Sequence, residues 1–159
     1  MRSSFLAMTG LLVFSAVALA QSHTGIMTTA GWAPASLAGA KTGIAYATVM
    51  NHSGKTVEIT ALSSPVASTV ELHDQSQKDG VVTMRRVEVP RLVPGKSMKL
   101  KPGGRHFMLI GLKEPLIEGQ TFPLTITFDS GESVTAEITV KKAGLQPADE
   151  SPKLEHDHH

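Results

Sequence analysis

The 159-residue sequence has no cysteine. That absence excludes a disulfide framework, thiol redox chemistry, a cysteine nucleophile and every zinc site built on thiolates. It also excludes a blue-copper electron-transfer centre in its usual form, which needs a Cys ligand. An excess of charge is missing as well: 15 Lys and Arg stand against 14 Asp and Glu. Nucleic acids and acidic membranes require a basic surface, so neither is expected as a partner. No G-x-S-x-G elbow occurs, and no acid–base pair with an orienting group stands out, so the chain is not expected to be an enzyme.

One apolar run breaks the otherwise mixed composition. MRSSFLAMTGLLVFSAVALA (1–20) has a single charge at Arg2, an apolar stretch from Phe5 and the A-x-A sequence Ala18-Leu19-Ala20. This is the pattern of a cleaved export signal, and the run is too short and too rich in small residues to span a bilayer comfortably. Removal after Ala20 is expected. Arg2 leaves with the signal, so the remaining basic and acidic residues balance. No cysteine follows to carry a lipid, so no membrane anchor is expected.

Amphipathic helices are missing too. From about residue 27 to residue 141, short β-rich runs alternate with turn residues. Candidate strands cover 26–33, 41–50, 56–63, 68–74, 81–89, 96–101, 105–111, 121–129 and 132–140. Asn51-His52-Ser53-Gly54, Lys78-Asp79-Gly80, Pro94-Gly95, Pro102-Gly103-Gly104 and Asp129-Ser130-Gly131 punctuate them. Many short strands at this spacing predict an all-β, single-domain Greek-key sandwich or barrel. In TFPLTITFDSGESVTAEITV (121–140), Leu124, Ile126 and Phe128 alternate with Thr125 and Thr127, predicting a hairpin. The domain is expected over 21–141, followed by a flexible tail, KAGLQPADESPKLEHDHH (142–159), that carries Pro, Gly and charge without periodicity.

The chemistry lies in histidine and methionine. Period-two alternation puts Val70 and Leu72 on one face of STVELHD (68–74) and Thr69, Glu71 and His73 on the other. In VVTMRRVEV (81–89), Met84 shares its face with Arg86 and Glu88; in RHFMLIGL (105–112), His106 and Met108 point the same way, away from Phe107 and Leu109. A hairpin turning at Asp79-Gly80 would bring Met84 to within about one pairing step of His73. Two imidazoles and two thioethers make a neutral, soft ligand set suited to Cu(I), whereas Ca²⁺ and Mg²⁺ require oxygen ligands. Met50 and Met98 read as core residues, and His52 sits in a turn. Spacing alone leaves two readings standing: a soft-metal site, or a structural β-domain in which the four residues are incidental.

His73, Met84, His106 and Met108 together spell H-x10-M-x21-H-x-M. With AKTGIAYATVMNHSGK (40–55), SSPVASTVELHD (63–74) and LKPGGRHFMLIGLKEPLIEGQTFPLTITF (100–128), the chain resembles the periplasmic copper chaperones of the PCu(A)C type over roughly residues 32–142. The resemblance implies a cupredoxin-like β-sandwich or barrel, a periplasmic location and one Cu(I) held by His73, Met84, His106 and Met108. It further implies delivery of copper to the copper-bearing subunit of cytochrome c oxidase, alongside a Sco-type protein. Copper buffering or resistance is the alternative role. Some members of that family place a Met directly after the first histidine ligand, where this chain has Asp74, so the site rests on four ligands.

The ends offer candidate secondary Cu(II) sites. Gln21-Ser22-His23 would present a free amine with His23 third, a square-planar nitrogen set. The tail brings His156, His158 and His159 around Asp157; a vector junction is the competing origin for Leu-Glu-His there. Arg86 and Arg105, near the ligands in sequence, read either as solvated charge or as groups that disfavour a dication and dock an acidic partner.

Overall fold

The computed structural model describes residues 25–88 and 90–144. The expected export signal, His23, and the tail histidines His156, His158 and His159 lie outside the described residues. Among those described, every regular element is a β-strand: β1 (Ile26–Thr28), β2 (Gly31–Pro34), β3 (Thr42–Ala45), β4 (Thr48–Asn51), β5 (Val57–Ser63), β6 (Ala67–Lys78), β7 (Val81–Arg86), β8 (Arg91–Leu92), β9 (Ser97–Lys99), β10 (His106–Leu112), β11 (Thr121–Phe128) and β12 (Ser133–Lys141).

The strands form sheets in the orders β3-β10-β6-β7, β2-β12-β11-β5-β8 and β1-β4-β9. All pairings are antiparallel except β12 with β2. The expected all-β sandwich is the observed architecture. Val70 and Leu72 from β6, Phe107 and Leu109 from β10, and Leu124, Ile126 and Phe128 from β11 are buried on the faces the alternation gave them, and Ala136, Ile138 and Val140 from β12 complete the core. Each large side chain taken fully from water contributes about 1.5–3 kcal/mol, and with no disulfide available this burial holds the domain together. Met98 is core as read, Met50 is only half-buried, and His52 is exposed directly after β4, its N–H bonded to the Gly25 carbonyl.

Three expectations about the strands need correction. The run 41–50 is two strands in two sheets, because Tyr46 exchanges backbone hydrogen bonds with Trp32 (Trp32 N to Tyr46 O 2.9 Å, Tyr46 N to Trp32 O 2.8 Å) instead of continuing along β10. A Cβ on Gly31 would overlap the Tyr46 carbonyl, so the crossing tolerates only glycine there. The run 26–33 likewise divides, β1 pairing with β4 and β2 with β12. Alternation reports which face a residue occupies and says nothing of where a strand changes partners. Third, β6 runs on through the polar residues Asp74–Lys78, because β7 pairs with it from Lys78↔Val81 to His73↔Arg86. Asp79 and Gly80 close that hairpin with φ of 52° and 78°, the two positive φ values of a type I′ turn. Arg91–Leu92 forms a short strand that the pattern did not show.

Candidate metal centre

The four-stranded sheet builds the candidate site through register. His106 lies directly opposite His73, and Met108 opposite Glu71. On the far side of β6, Arg86 lies opposite His73 and Met84 opposite Gln75. Paired residues project to the same face, so His73, His106, Met108, Met84, Glu71 and Arg86 share one face. Phe107 and Leu72, themselves paired, anchor the other face in the core.

The two histidines are in close proximity, with ring centroids 5.9 Å apart and planes inclined by 42°. Two imidazoles that share one ion through bonds of about 2 Å have centroids about 6 Å apart or less, so the spacing admits a common ion. Met108 sits one pleat along from His106 and is half-buried; Met84 sits one diagonal step from His73 on the edge strand, 43% exposed. Fold thus gathers the four residues singled out in the sequence onto one face of three adjacent strands.

The hydrogen bonds of the two rings are incomplete in a specific way. His106 is 1% exposed. Its Nδ1 is 3.0 Å from the Gly104 carbonyl, while its Nε2 is buried with no partner. The Nε2 of His73 is 2.9 Å from Glu71 Oε2, while its Nδ1 is buried with no partner. An unsatisfied buried polar atom costs about 1–3 kcal/mol, and here two stand on neighbouring rings. Neutral imidazole lone pairs beside thioethers suit a soft cation. Among the described residues no group of three or more His, Asp or Glu side chains is arranged to hold a metal.

Glu71 and Gly104 are partners the sequence reading did not single out. Glu71 carried a signal, since it is two residues before His73 on the same face; the Gly104 carbonyl carried none beyond its turn composition. Arg86 Nη1 lies 3.3 Å from Glu71 Oε1, and Arg105 Nε 3.8 Å from Asp74 Oδ2. Both arginines therefore face carboxylates of their own chain, as solvated and partnered charge.

A family model described as "Putative lipoprotein LpqE-like" matches residues 26–140. The protein "Putative lipoprotein Lxx21020" of Leifsonia xyli subsp. xyli is 33% identical over 118 residues, 74% of this chain and 70% of that one. Protein RP573 of Rickettsia prowazekii is 32% identical over 103 residues, 64% of this chain and 56% of its own length. Among solved structures, the apo PCuAC domain of PmoF2 superposes with a TM-score of 0.63 at 21% identity, over 76% of this chain and 93% of that domain. Its copper-bound form gives 0.61 over 74% and 92%, also at 21% identity. The Cu(I) form of DR1885 from Deinococcus radiodurans gives 0.56 at 26% identity, over 82% of this chain and 85% of that one. The shared fold is the cupredoxin-like β-sandwich.

Proposed function

From a chain that belongs to the LpqE-like family, we propose a Cu(I) carrier: an exported copper chaperone that takes the ion on the His73–His106 face. His73 and His106 supply imidazole nitrogens, and Met84 and Met108 supply thioethers. The observation that carries this reading is the pair of buried ring nitrogens left without partners on rings 5.9 Å apart. The likeness to PCuAC domains, one solved with copper and one relative solved with Cu(I), supports the same cargo.

A neutral donor set stabilises Cu(I) without fixing the geometry that Cu(II) prefers, which suits carrying the ion better than cycling its charge. Met84, on the exposed edge strand, is the ligand through which an acceptor would approach. The expected acceptor is the copper-bearing subunit of cytochrome c oxidase, with a Sco-type protein alongside, in the periplasm. A capture site for Cu(II) at His23 or at His156, His158 and His159 would feed this one.

Titration of the full chain with Cu(I) against a competing chelator tests the proposal, beside the double variant His106→Ala, Met108→Ala. One tight equivalent in the parent, lost in the variant, is expected. Equal binding in both, or no tight binding in either, would return the domain to a structural role.

A further inference from the structure

A histidine can offer a metal either ring nitrogen, and the choice is set by the bond the other nitrogen makes. Carbonyl and carboxylate oxygens only accept. The Gly104 carbonyl therefore requires His106 to carry its proton on Nδ1, leaving the Nε2 lone pair free. The Glu71 carboxylate requires His73 to carry its proton on Nε2, leaving the Nδ1 lone pair free. These two freed nitrogens are the same two that are buried without partners. On each ring the free nitrogen is also buried, and the two rings are oriented by different means, His106 by a backbone carbonyl and His73 by a side chain.

Glu71 is itself held. While Oε2 accepts from His73, Oε1 forms an ion pair with Arg86 Nη1 at 3.3 Å, and Arg86 stands opposite His73 across the β6–β7 pairing. With both oxygens engaged, the carboxylate is oriented rather than free to ligate.

We propose that Glu71, held by Arg86, is a positioning residue of this site, and that the two histidines bind through opposite ring nitrogens, His73 by Nδ1 and His106 by Nε2. The proposal rests on the His73–His106 face being the metal site. The carboxylate fixes the His73 tautomer and ring angle and makes Nδ1 a stronger donor; the Gly104 carbonyl does the same for His106.

Long-range proton–nitrogen NMR correlations on the ¹⁵N-labelled full chain read each ring directly, before and after Cu(I), which is diamagnetic. Without metal, His73 should show only the Nε2–H pattern and His106 only the Nδ1–H pattern. On adding Cu(I), His73 Nδ1 and His106 Nε2 should shift while the other two nitrogens keep their protons. In Glu71→Ala the His73 tautomer should become mixed and Cu(I) affinity should fall roughly 10–100-fold, as outer partners of metal ligands typically dictate. Glu71→Gln still offers an accepting oxygen and should lose less. Copper that shifts both rings but enters His73 through Nε2, or a Glu71→Ala variant with unchanged tautomer and affinity, overturns the role of Glu71 while leaving the metal site standing. Copper that shifts neither ring overturns the site itself.

Discussion

Among the described residues, two polar side chains lie fully buried, Asn51 and His106, each 1% exposed, and they are treated in opposite ways. The Asn51 amide donates to the Lys55 and Leu92 carbonyls at 2.8 Å each, and its oxygen accepts from Ser53 N at 2.9 Å and Ser53 Oγ at 2.6 Å. Two donors and two lone pairs are all used. His106 makes one bond and leaves Nε2 bare, beside a His73 whose Nδ1 is equally bare. A polar group that a fold uses as a structural tie is saturated, because each unmet bond in the interior costs stability. A group left open at such a cost points to a ligand from outside.

Substitution at each end of this contrast should separate the two roles. The largest effect is expected for His106→Leu, with Cu(I) affinity reduced roughly 100-fold or more in a chelator competition. Its folding stability should change by only about 1 kcal/mol, since one hydrogen bond is lost and one unmet nitrogen is removed with it. Asn51→Ala should invert the pattern. Four bonds go and the buried bond to the Leu92 carbonyl loses its donor, so denaturant unfolding should show a loss of about 3 kcal/mol, with Cu(I) affinity per folded molecule unchanged. Equal behaviour of the two variants would erase the distinction.

Tyr46 gives the smallest and most general test. Burial raises its phenol above the ordinary value of 10.0, so the fold favours the protonated form. Stability from this source is full below the unfolded value and lost as pH climbs past it toward the folded value. Melting temperatures compared at about pH 9 and about pH 11 should fall less in Tyr46→Phe than in the parent, by a small margin. The same margin in both would mean that Tyr46 ionises as freely as in the unfolded chain.

Much of this was legible in the sequence, residue by residue. The pattern at 121–140 gave both strands of the β11–β12 hairpin and its buried face, because a hairpin is local and its alternation unbroken. Asp79-Gly80 marked the β6–β7 turn, and with it the diagonal neighbourhood of His73 and Met84. The breaks at residues 29–30 and 46–47 were not legible, because they arise when hydrogen-bond partners change between sheets. Nor was the continuation of β6 through Asp74–Lys78, where pairing with β7 replaces hydrophobic burial as the reason for a strand.

By itself the sequence determined the chemistry of the face: no thiolate anywhere, and His106 with Met108, like Glu71 with His73, pointing together because a strand repeats every two residues. Only the tertiary structure decided that β10 lies beside β6 in the register His106↔His73, thirty-three positions apart in the chain. It also decided that Gly104 and Glu71 each occupy one nitrogen of those rings and leave the other free. Alternation is a property of neighbours along one strand, whereas register between distant strands is set by how the whole core packs.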